Sequence, residues 1–167
     1  MNNILIVSVF FPPARHIAVS RIEAYAKYLS NSNNVTVITL GEKEETVEYK
    51  FDNGSNCKVH YLPNKGLLTA FLFYTGKENW FQHKVKTMVR VVHNKLNISH
   101  FKSWARLASK RLVEELENKK YDVLISSYAP EDVWEISYQA IKSNLNTKIK
   151  WVLDMRDEYS DELGLPI

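Results

Sequence analysis

The spacing of hydrophobic and polar positions changes period several times along the chain, and these changes predict alternating strands and helices. Residues 4–11 (ILIVSVFF) are an almost unbroken apolar, β-branched run closed by Pro12 and Pro13, the pattern of a strand covered on both faces in a parallel sheet. Ser20-Arg21-Ile22-Glu23 then matches a capping box, in which hydroxyl and carboxylate each satisfy a free backbone N–H. Val19, Ile22, Ala26 and Leu29 follow at helical spacing, and the polar stretch 31–34 ends that helix. Residues 35–40 (VTVITL) predict a second strand, stopped at Gly41. Residues 46–51 and 57–62 flank Asp52-Asn53-Gly54 and predict a hairpin, or a strand with a peripheral partner.

From 66 to 101 the spacing is helical but irregular. Beyond it, Trp104, Leu107, Ala108, Leu112 and Leu116 mark a regular amphipathic helix. Residues 122–127 (DVLISS) predict another buried strand. Pro130 with Glu131, Asp132 and Glu135 starts a further helix, with proline in the first turn and acids at the positive end of the dipole. The final strand is 148–154 (KIKWVLD). Strands alternating with helices predict an α/β fold: a Rossmann-like, doubly wound, mainly parallel sheet flanked by helices. Ligands of such sheets sit beyond the carboxyl ends of the strands, which directs attention to loops 12–19, 127–131 and 155–162.

Composition adds limits. The chain has 167 residues, 45% of them hydrophobic and 25% charged, enough for one ordinary core. Its single cysteine, Cys57, cannot form an intramolecular disulfide. No apolar run reaches the ~20 residues that a spanning helix needs. The first residues lack the basic and cleavage features of a signal peptide, and a cytoplasmic protein is expected. The net charge of +3 is unevenly spread: residues 77–102 hold six Lys or Arg (Lys77, Lys84, Lys86, Arg90, Lys95, Lys102) against Glu78 alone, a local +5. A patch of that kind speaks of a partner surface.

Several familiar chemistries are missing. No glycine follows the first strand, so neither GxGxxG nor a P-loop is present, and GxSxG is absent as well. The five histidines show no ligand spacing, and no metal site is expected. Arg15, His16 and Arg21 surround a helix start suited to phosphate or carboxylate; the alternative is a stiff diproline turn with solvated basic groups. The acidic run from Asp154 to Glu162 suits hydroxyl groups better than a metal, the alternative being an acid-rich helix start.

Residues 67–74 are apolar and aromatic, and Phe81, Val85, Met88, Val89, Val92 and Leu96 share one helical side with Arg90 opposite and Lys84 and Lys86 on the flanks. A basic amphipathic helix of this kind can lie on anionic lipid; equally, it can pack on the sheet with a wet outer face. Nucleic acid is not an expected partner, because no recognisable binding module accompanies the charge.

In order and spacing, 4–13 (ILIVSVFFPP), Arg21 with 26–29 (AKYL), 35–39 (VTVIT), 122–127 (DVLISS) and 151–157 (WVLDMRD) resemble the N-terminal, acceptor-side domain of GT-B fold glycosyltransferases of the family 4 type. The resemblance covers nearly all of the chain except the variable 42–101 region. It implies sugar transfer from a nucleotide-sugar co-substrate, with no obligatory metal or other cofactor, to a glycan or lipid-linked acceptor in bacterial surface glycan synthesis. Asp157 and Arg156 would be catalytic, and Ser127, Tyr128 and Glu158 would bind acceptor. Arg15, His16 and Arg21 would face donor phosphates, and Lys84, Lys86 and Arg90 would face an anionic membrane. Ser127 followed by Tyr128 stands where some relatives place a histidine, so no histidine base is assigned. A C-terminal donor-binding domain lies outside residues 1–167, which by themselves are expected to be inactive. The rival expectation is a non-catalytic α/β module that docks a membrane or protein and recruits a separate catalyst.

Overall fold

A computed structural model describes residues 1–14, 16–65, 101–127, 130–143 and 148–155. They form an α/β unit with elements β1 (Asn3–Val7), α1 (Ile17–Leu29), β2 (Asn34–Gly41), β3 (Glu45–Lys50), β4 (Asn56–Pro63), α2 (Lys102–Asn118), β5 (Val123–Ser127), α3 (Asp132–Ser143) and β6 (Lys150–Asp154). The six strands make one sheet in the order β3-β4-β2-β1-β5-β6. Every pairing is parallel except the β3–β4 hairpin, whose turn uses Gly54 at φ +83, a conformation glycine adopts without a Cβ penalty.

The two-residue period of β1 sorts the core into two layers. Ile4 and Ile6 join Ile22 and Ala26 of α1 on one face. Leu5 and Val7 join Trp104 and Leu112 of α2 and Val133 and Ile136 of α3 on the other. Strands sandwiched in this way need apolar residues at successive positions, which is why β1 carries no alternation. β3 at the hairpin edge is mostly exposed and carries Glu45, Glu48 and Lys50, charges that discourage a further strand there.

Two expected boundaries are corrected. The first strand stops at Val7 rather than Phe11, because Ser8 Oγ accepts the Phe10 N–H at 3.2 Å and curls the chain. Val9 and Phe11 remain fully buried nonetheless. Helix α1 starts at Ile17, ahead of the expected capping box: His16 is the cap, its Nδ1 accepting the Ala18 N–H at 3.1 Å. Ser20 lies inside the helix and returns its hydroxyl to the Ile17 carbonyl at 3.0 Å. Stacking of the His16 ring on Phe10, with centroids 4.0 Å apart, places the cap, a contact that local sequence rules do not contain.

Segment 66–100, with Lys84, Lys86 and Arg90, which the resemblance expects to face a membrane, lies outside the described residues. Among the described residues, no helix is long and apolar enough to cross a membrane.

Candidate functional site

The carboxyl ends of β1, β5 and β6 lie side by side, and the side chains gathered there centre on Asp154. As the last residue of β6, Asp154 is in register with Ser127, the last of β5. Both are buried, and Ser127 Oγ donates to Asp154 Oδ2 at 3.0 Å. From the second turn of α1, Arg21 forms an ion pair with Asp154 Oδ1 through Nη2. One turn on, the Tyr25 hydroxyl accepts from Arg21 Nε at 3.0 Å and reaches Asp154 Oδ1 at 3.5 Å. Tyr25, ahead of Asp154, holds the Arg21 guanidinium more firmly protonated than usual.

One carboxylate therefore collects a hydroxyl from β5 and a guanidinium and a phenol from α1. The Asp154 side chain is only 8% exposed, whereas that of Arg21 is 40% exposed. Among the described residues, the guanidinium N–H groups not turned to Asp154 or Tyr25 have no partner. They offer a charged fork to an anionic or hydroxyl-rich ligand.

Of the sequence-predicted site residues, the structure brings Arg21 and Ser127 together through Asp154. His16 is exposed, and its Nδ1 is committed to capping α1. Arg15, Tyr128, Arg156, Asp157 and Glu158 lie outside the described residues. Asp154 was expected only as the first acid of the run to Glu162, with no role of its own, and Tyr25 was not among the predicted site residues. Asp154 had a usable signal, a lone acid ending an apolar strand; Tyr25 had only its four-residue spacing from Arg21.

Replacing His16 with alanine should destabilise the protein by about 1 kcal/mol, the usual worth of an N-cap. Urea unfolding would measure it, and an unchanged midpoint would mean that the cap contributes nothing.

Two grooves border this end of the sheet. A mostly apolar one of about 740 Å³ lies over the ends of β1, β2 and β4, lined among others by Phe10, Leu40, Tyr61 and Phe101. Its wall is braced by the Tyr61 hydroxyl, which donates to the Pro12 carbonyl at 2.6 Å; burial, first of all, pushes that phenol up to about 12. A second groove, of about 320 Å³, runs beside Asp154 between α1 and β6. Among the described residues, no three His, Cys, Asp or Glu side chains gather closely enough to hold a metal ion. Comparison with protein-family models finds no match, and comparison with curated proteins finds none.

Proposed function

We propose that the sheet is doubly wound and Rossmann-like, and that the chain is the acceptor-side N-terminal domain of a GT-B glycosyltransferase of the family 4 type. The observation that supports this most is the meeting of Arg21, Ser127 and Asp154 beside β1. The strands on the two sides of β1 follow opposite directions of chain order, and in open α/β sheets ligands bind outside the carboxyl ends at such a reversal.

In this proposal an acceptor hydroxyl attacks the anomeric carbon of a nucleotide-sugar. The new C–O bond forms as the bond to the diphosphate breaks, and the hydroxyl proton leaves to a base. Asp157 and Arg156, two or three residues past Asp154, act at the reacting centre. Ser127, Tyr128 and Glu158 hold the acceptor. Arg21, with Arg15 and His16, meets charge developing on the departing diphosphate, and preorganised donors of that kind are a large part of catalysis. Lys84, Lys86 and Arg90 rest on anionic lipid at the cytoplasmic face, where a lipid-linked acceptor is presented. The nucleotide-sugar itself is held by a donor-binding domain facing this one.

The test compares purified residues 1–167 with the same chain joined to a donor-binding domain, using radiolabelled UDP-, GDP- and dTDP-sugars and membranes of the expressing cells. Residues 1–167 alone should transfer no label above background, and the two-domain protein should. Robust transfer by 1–167 would contradict the division of labour. Failure of the two-domain protein with every donor would contradict the function.

A further inference from the structure

We propose that Asn53, in the turn between β3 and β4, is a site of spontaneous covalent modification. Its side-chain amide cyclises onto the Gly54 nitrogen, and the hydrogen bonds of the turn set the rate.

Asn53 is the one asparagine in the chain that is followed by glycine. Attack by the following backbone nitrogen on an asparagine Cγ is crowded by that residue's side chain, and glycine has none. The Gly54 nitrogen gives up its proton and bonds to Asn53 Cγ. The Cγ–Nδ2 bond breaks, Nδ2 takes a proton and leaves as ammonia, and a cyclic imide remains. Water then opens the ring. Cleavage at Cγ gives aspartate, and cleavage at the main-chain carbonyl gives isoaspartate, whose backbone runs through Cβ. Space at the turn does not oppose this, because a Cβ placed on Gly54 would meet no atom within 4 Å among the described residues.

Hydrogen bonds oppose it instead, and they hold both reacting groups. The Gly54 N–H donates to the Phe51 carbonyl at 3.1 Å, which engages the proton that must leave. Asn53 Oδ1 accepts the Ser55 N–H at 3.1 Å and the Ser55 hydroxyl at 2.7 Å. Asn53 Nδ2, the leaving nitrogen, donates to Asn31 Oδ1 at 2.9 Å, just past the end of α1. Cyclisation therefore proceeds from transient openings of the turn, whose frequency these bonds control. The products differ from the parent where the hairpin meets α1. Either one loses the Nδ2 donor to Asn31 and sets a second carboxylate beside Asp52, whose own carboxylate pairs with Lys27 at 2.5 Å. Isoaspartate also lengthens the main chain between Lys50 and Asn56, the residues that pair across the hairpin's closed end.

The test holds residues 1–167 at mildly alkaline pH, digests samples with trypsin over several weeks, and reads peptide 51–58 (FDNGSNCK) by tandem mass spectrometry. The mass gain of an amide-to-acid conversion should appear at Asn53 well before Asn56 of the same peptide, as two products of equal mass that separate by chromatography. In urea the gain should be at least about tenfold faster, because the turn no longer has to open. Asn31→Ala unties Nδ2 and leaves the Asn53-Gly54 pair unchanged. It should speed the reaction of the folded chain about threefold, the worth of one modest hydrogen bond, and leave the rate in urea at the parent's value. Conversion of Asn53 no faster than of Asn56 would overturn the assignment of the site. Equal rates with and without urea, or a parent-like rate in folded Asn31→Ala, would overturn the control by the turn.

Discussion

Under the proposed function, Asp154→Ala should lower sugar transfer by the chain joined to a donor-binding domain by at least about 100-fold, the scale on which a misplacement of ~1 Å at positioned groups acts. The variant removes the acceptor shared by Ser127 Oγ, Arg21 and Tyr25, so three side chains from α1 and β5 lose their common reference point. Stability should change far less, because the 40%-exposed Arg21 side chain can hydrate when its partner goes. Asp154→Asn, which keeps an acceptor for Ser127 but loses the charge facing Arg21, should fall between parent and alanine. Steady-state kcat/KM with a radiolabelled nucleotide-sugar, together with urea unfolding of the same samples, separates the two effects. Parent-like kcat/KM in the alanine variant would remove Asp154 from the site; a collapse of stability would make it a folding residue instead.

The second large effect lies away from the site, where α2 crosses the sheet. Glu115 accepts from Lys58 Nζ at 2.9 Å and meets His60 Nε2 at 2.9 Å, both on Oε1, while the Tyr121 hydroxyl donates to Oε2. The far side of the imidazole is occupied too, since His60 Nδ1 lies 2.8 Å from Thr46 Oγ1. The His60 hydrogen bond, then those from Tyr121 and Lys58, hold the Glu115 carboxyl far below its ordinary value of 4.5, against the opposing effect of burial. Burial and Glu115 together push the Tyr121 phenol well above its usual range.

A carboxyl whose folded pKa is depressed contributes stability above its unfolded pKa and loses it as pH falls toward the folded value. Glu115→Gln should therefore cost about 2–3 kcal/mol at pH 7, where charge-assisted hydrogen bonds in a buried network are broken. The stability curves of parent and variant should run parallel at neutral pH and converge as the pH drops below about 4.5. Urea unfolding at pH 7, 5 and 3 reads this directly. A constant gap across that range would mean that the network acts through shape and not through the charge on Glu115.

Much of the fold could be read from local pattern. The unbroken apolar run of β1 and the regular spacing of Trp104, Leu112 and Leu116 identify buried faces because water excludes those side chains whatever their neighbours are. All of them are buried in the structure. The hairpin was readable for a different reason: Gly54 supplies the positive φ that its turn requires. Local pattern failed at the start of α1, where Ser20-Arg21-Ile22-Glu23 satisfied a capping rule that a ring stack on His16 overrode. It failed again for His60, one of five scattered histidines in the sequence but in the structure the link between the hairpin and α2.

The candidate site divides in the same way. Arg21 and Ser127 could be singled out by residue type and by their closeness to a helix start and a strand end. Their meeting could not be foreseen, because Arg21 and Asp154 are 133 residues apart in the chain and Ser127 and Asp154 are 27 apart. By itself, then, the sequence determined which segments of the described residues are strands and helices and which faces they bury, since hydrophobic period and turn chemistry act over a few residues. Tertiary structure alone decided that Asp154 is the shared acceptor, that His16 closes a helix, and that β1 lies between β2 and β5, because strand order and register are set by contacts between distant segments.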